Sequence, residues 1–80
     1  MVSDPVKLTR RMLSQSRVIA KGKRIREVNR LVAQYGGRAS KWVKKSSPQM
    51  KVAGRKIEYH WYEHPGIGKF ELKKVRINPA

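Results

Sequence analysis

Between residues 56 and 63 the chain reads KIEYHWYE, and its side chains alternate in character at nearly every step. A period of two marks a strand with one buried face, so Ile57, Tyr59 and Trp61 fall on one side. Glu58, His60 and Tyr62 fall on the other. A second run, KFELKK over 69–74, follows the loop His64-Pro65-Gly66-Ile67, which makes the two runs a β-hairpin. If Glu63 pairs with Gly68, Trp61 faces Phe70 and Tyr59 faces Leu72 on the apolar side. Tyr62 then meets Lys69, His60 meets Glu71 and Glu58 meets Lys73 on the polar side. Val75 and Ile77 fall out of phase with Leu72, which a bulge near Lys73-Lys74 explains.

Upstream the period is helical. Ile25, Val28, Val32 and Tyr35 recur on one face, widened by Leu31, and predict a helix over 23–35 that stops at Gly36-Gly37. Asp4-Pro5 is a helix start, N-cap then first-turn proline, and predicts a short helix over 5–14. Strands are expected over 40–44, carrying Trp42, and over 49–52, with a turn at Gly54-Arg55. Trp42 and Trp61 are assigned to the core. The fold class is therefore α+β: one or two N-terminal helices packed on a small twisted antiparallel sheet of three to four strands. Residues 1–20 form an N-terminal basic segment with a short helix, and 21–80 form a single helix-plus-sheet domain.

Charge changes this picture. Twenty Lys and Arg stand against five Asp and Glu, a formal net charge of +15, which attracts polyanions and nucleic-acid phosphates above all. Eighty residues allow one domain with a small core. Without cysteine there is no disulfide or thiolate metal site. Two histidines and scattered carboxylates supply neither a structural zinc set nor a two-cation set, so no metal and no cofactor is expected. No run of about 18 apolar residues exists to span a membrane.

The polar hairpin face holds the groups that metal-free RNA cleavage requires. A base removes the 2′-OH proton, the 2′-oxygen attacks phosphorus, and an acid protonates the departing 5′-oxygen while cations stabilise the phosphorane. The product is a 2′,3′-cyclic phosphate. His60 is the acid/base candidate, because histidine changes charge near neutral pH. Glu71 is placed to orient its ring, Glu58 and Tyr62 are further catalytic candidates, and Lys69 and Lys73 are placed to hold phosphate. Lys41, Lys44 and Lys45 extend that track. Arg38, Ser40, Ser46 and Ser47 flank the first expected strand, where a loop could donate hydrogen bonds to phosphate. The same residue mixture also suits the solvent face of an ordinary hairpin, and then the chain is a non-catalytic basic RNA- or DNA-binding module.

The succession of a basic helix, GGRASKWVKKSS, a Gly turn and EYHWYEHPGIGKFELKKVRI resembles the C-terminal toxin modules of bacterial polymorphic toxins, of the contact-dependent inhibition and RHS types. The likeness covers residues 36–77. The helices-then-sheet order also resembles the barnase–EndoU–colicin–RelE group of metal-independent ribonucleases. The resemblance implies a helix on a twisted four-stranded sheet, with the RNA site on the face away from the helix. It implies one catalytic toxin domain, delivered as the tip of a larger secreted effector and acting in the target-cell cytoplasm. An RNA substrate, tRNA before bulk RNA, and a cognate acidic immunity protein follow from it. By the same likeness His60 matches the histidine of the pattern, Lys44 and Lys45 its lysine pair, Glu58 and Glu71 its carboxylates, and Lys73 its final lysine.

Overall fold

In the computed structural model, residues 8–77 are described. Thr9 opens the first helix, α1 (Arg10–Ser14). Its hydroxyl accepts from the Met12 N–H at 3.1 Å, and the Met12 sulfur accepts from the Thr9 N–H. The Asp4-Pro5 start signal lies outside the described residues. A strand that the periodicity did not mark comes next, β1 (Arg17–Lys21), and it crosses position 20, the expected segment boundary.

Helix α2 (Val28–Tyr35) is shorter than the expected 23–35. A 3-10 helix (Gly22–Arg24) precedes it and ends in extended backbone at Ile25, so the helical period of the apolar residues spans two elements. Gly36 ends α2 at φ 92°, which fits the Gly-Gly stop. A second 3-10 helix (Ala39–Lys41) occupies part of the expected 40–44 strand, and β2 begins only after Trp42, at Val43–Ser46. The remaining strands are β3 (Met50–Val52), β4 (Arg55–His64) and β5 (Gly68–Arg76).

The α+β class holds, with two short α-helices and a five-stranded antiparallel sheet among the described residues. Its axis is β4. On one edge, β2 pairs with residues 60–63 of β4 and β3 with residues 55–57; β5 runs along the other edge, and β1 lies outside β2.

The hairpin register differs from the expected one. His64 pairs with Gly68, Glu63 with Lys69 and Tyr62 with Phe70, one residue away from the Glu63–Gly68 alignment. A bulge then shifts the ladder again, and His60 pairs with Lys73, Tyr59 with Lys74 and Glu58 with Val75. The bulge is centred on Glu71, at φ 59°, and not on Lys73-Lys74. The physical reason lies in the pair Tyr62–Phe70. It is as apolar as Trp61–Phe70, and it brings Phe70 to 4.1 Å from the Tyr35 ring in a stacked contact under α2.

The faces are consequently exchanged. Ile25, Val28, Leu31 and Trp42 form the buried core, with Tyr35, Tyr62 and Phe70 packed against it. Tyr62, His60 and Glu58 share a face by alternation, so the face expected to lie away from the helix carries α2 at one end. Trp61 and Ile57 are buried on the opposite face, where the Trp61 indole donates to Glu63 at 3.1 Å.

Candidate active site

Beyond the edge of α2, the sheet face it packs on opens into a groove of about 940 Å³. Its lining includes Arg24, Arg26, Glu27 and Arg30 from α2 and the segment that leads into it, Glu71 and Lys73 from β5, and Lys44, His60 and Tyr62 from β2 and β4. The sheet order produces this arrangement. Pairing of β2 with β4 puts Lys44 beside Tyr62 and Ser46 beside His60, and pairing of β1 with β2 puts Arg17 beside Ser46.

Glu58 is the fixed point. Its side chain is 9% exposed, and both carboxylate oxygens are satisfied. Oε1 accepts from the Ser46 hydroxyl at 3.0 Å and lies 3.0 Å from His60 Nε2, while Oε2 accepts from Arg17 Nη2 at 3.0 Å. The His60 contact, with Arg17 and Ser46, holds the carboxyl down at about 2 against the opposing effect of burial. A carboxylate kept ionised in this way fixes the adjacent imidazole by one nitrogen. His60 is partly exposed toward the groove, with Lys73 across the strand pair.

Glu71 does something else. The bulge turns it toward α2, where Arg30 donates to both of its oxygens at 2.8 Å and Tyr35 donates to it at 2.9 Å. It is therefore not the partner of His60, a role that falls to Glu58, its neighbour two residues back on the same strand. Arg30 also bonds Glu27 at 2.8 Å, and Glu27 accepts from the Tyr62 hydroxyl at 3.0 Å. Arginine contacts hold Glu71 and Glu27 below the usual carboxylate range. Burial, then the Glu27 bond, pushes the Tyr62 phenol up, so Tyr62 acts in the groove as a hydrogen-bond donor rather than a proton source.

Of the expected phosphate contacts, Lys44 and Lys73 reach the groove, and the Lys44 ammonium lies 5.8 Å from the Tyr62 ring centroid. Lys45 and Lys69 are placed elsewhere. Both flank Glu63 on the opposite face, Lys45 at 3.2 Å. Arg38 and Lys41 sit at the 3-10 helix between α2 and β2 and do not line the groove. Ser46 and Ser47 are fully buried and structural: Ser47 Oγ accepts from the Tyr59 N–H at 2.9 Å. His64 packs edge-on against Trp42, and its Nδ1 accepts from the Gly66 N–H.

Arg24, Arg26 and Arg30 lie on faces of the expected helix that suit a solvated surface or a nucleic-acid contact about equally, and they line the groove; Arg17 was not anticipated. Arg17 became visible only with β1, which brings it to Glu58. No group of three or more His, Cys, Asp or Glu side chains gathers at metal-ligand range among the described residues. No helix there is long and apolar enough to cross a membrane. No match to this chain is found among family models, curated proteins or solved structures.

Proposed function

We propose that the protein is a metal-independent endoribonuclease and that the groove is its active site. One observation carries the reading. A histidine gripped by a buried, ionised carboxylate sits in a groove lined with arginine and lysine, in a chain of net charge +15. Such a pair serves acid–base chemistry, and such a lining serves a polyanion.

In the proposed step, Glu58 engages His60 Nε2, and the other ring nitrogen takes the 2′-OH proton of the substrate. The 2′-oxygen bonds to phosphorus as the bond to the 5′-oxygen breaks, leaving a 2′,3′-cyclic phosphate. The departing 5′-oxygen takes its proton from the Lys73 ammonium or from water. Lys44, Lys73 and the groove arginines balance the charge that builds on the non-bridging oxygens. Transfer RNA is the proposed substrate, and an acidic immunity protein is the partner proposed to cover the groove. The wider setting proposed is that of a polymorphic-toxin tip, delivered to a target-cell cytoplasm.

The test is incubation of tRNA with the protein in EDTA, followed by end-group analysis. The parent is expected to give cyclic phosphate ends, and His60→Ala to lose roughly 10²–10⁴ of the rate. Intact RNA with the parent, or equal cleavage by the variant, overturns the assignment. Salt-dependent binding with intact RNA would favour the non-catalytic binding module instead.

A further inference from the structure

The far end of the sheet carries cations that the groove does not use. In the β3–β4 hairpin Lys51 pairs directly with Lys56, and Val52 pairs with Arg55. On the neighbouring strand, Arg76 pairs with Ile57 and Lys74 with Tyr59. Lys51, Arg55, Lys56, Lys74 and Arg76 are all exposed. By strand alternation Lys51 and Lys56 share the face of Glu58, while Arg55, Lys74 and Arg76 lie on the other, so the five straddle the sheet end.

Nothing in the described structure neutralises them. The four carboxylates among the described residues are committed elsewhere: Glu58 to Arg17 and His60, Glu27 and Glu71 to Arg30, Glu63 to Lys45. Like charges directly opposite in an antiparallel pair destabilise it, so Lys51 against Lys56 is a local penalty in the free protein. A bound polyanion would convert that penalty into attraction. Lys56 lies four residues along β4 from His60, about 13 Å at the rise of a strand. That separation puts the cluster beyond the nucleotides at the scissile bond yet on the same molecule of substrate.

We infer that this sheet end is a second RNA-binding surface, which grips the phosphate backbone of a long substrate away from the groove. The identity of the polyanion as RNA rests on the ribonuclease reading; the existence of the surface rests on the charge arrangement alone. It acts on affinity for long RNA and takes no part in the bond-breaking step.

The experiment has two arms. In the first, binding of an unstructured RNA of about 20 nucleotides is measured against salt, in a His60→Ala background that keeps the RNA whole. Each backbone contact contributes about 0.7 to the slope of log K against log salt for a single strand. Lys51→Ala/Arg55→Ala/Lys56→Ala is therefore expected to flatten the slope by about 2 and to weaken binding at low salt by about tenfold or more. The charge-keeping Lys51→Arg/Lys56→Arg is expected to restore both, which separates charge from folding. In the second arm, with His60 intact, the triple variant is expected to raise KM for long RNA while cleaving a dinucleotide at the parent rate. An unchanged slope and KM overturn the second surface, as does binding of anionic lipid vesicles with no loss of RNA binding in the triple variant. Absence of cleavage by the parent overturns the ribonuclease reading and leaves the slope measurement to decide the surface.

Discussion

Glu58 has a neutral-pH and an acid-pH consequence. Its carboxyl is lowered from 4.5 to about 2 in the folded chain. A carboxyl with a depressed folded value favours folding above its ordinary range, and that contribution disappears as pH falls from about 4.5 toward about 2. Stability of the parent is therefore expected to decline through that window, followed by denaturant midpoint against pH. Glu58→Gln should be less stable than the parent at pH 7 and flatter below 4.5; an equally steep decline would remove Glu58 as the source. Loss of the carboxylate also frees the His60 ring, so on the proposed ribonuclease reading cleavage by Glu58→Gln is expected to fall by at least about tenfold, in kcat more than in KM. His60 and Glu58 were legible as candidates because they sit two apart in a strand and so share a face. That Glu58, rather than Glu71, grips the histidine was not legible, since it depends on χ angles and on Ser46 and Arg17 arriving from two other strands.

Among the elements, the hairpins show what pattern alone leaves open. The turn joining β3 and β4 was expected at Gly54-Arg55 and falls one residue earlier, with Arg55 already opening β4 opposite Val52. Its two central residues, Ala53 at φ 51° and Gly54 at φ 77°, both take the left-handed conformation of a tight hairpin turn. A β-carbon there costs about 1 kcal/mol. Ala53→Gly is thus expected to raise unfolding stability by up to about 1 kcal/mol, measured by chemical denaturation, with the offset that glycine adds entropy to the unfolded chain. A loss of stability would show that the turn does not set the energy of this hairpin. In the β4–β5 hairpin the existence of a bulge could be read from the broken phase of Val75 and Ile77. Its position could not, because Trp61–Phe70 and Tyr62–Phe70 are equally good apolar pairs. The choice is made by Tyr35, which descends from α2 onto Phe70, and no strand pattern contains that information. Five-residue β1 escaped notice for a related reason: with Val18 and Ile19 both exposed, it has no buried face to impose a period.

Across the whole molecule, charge is the quantity that sequence states most directly and structure interprets. A net charge of +15 on a chain of 80 residues implies mutual repulsion in the compact state. Added salt screens that repulsion and also weakens the few ion pairs, Arg30 with Glu27 and Glu71 being partly exposed. The excess of cations over pairs decides the sign. The melting temperature is expected to rise between low and near-physiological salt, read by circular dichroism, and to rise more with inorganic phosphate than with chloride at equal ionic strength. A fall in melting temperature with salt would mean that the pairs outweigh the repulsion. The sequence could announce this imbalance, but not that every described carboxylate is consumed as internal fastening, which leaves the groove and the sheet end positive.

The bulge at Glu71 has one more consequence. The ladder on either side of it is complete: Phe70 stays with Tyr62, and Lys73 stays with His60. Residue 71 is thus surplus to the sheet, an insertion that the two strands accommodate by bending around it. Excising it would leave both flanking sets of partners in place and straighten the strand. What would be lost is the tether from β5 to Arg30 and Tyr35, leaving the Tyr62–Glu27 bond and the core contacts to hold α2 on the sheet. One supernumerary residue, in a backbone conformation that its type seldom adopts, carries the bonds that tie β5 to the helix.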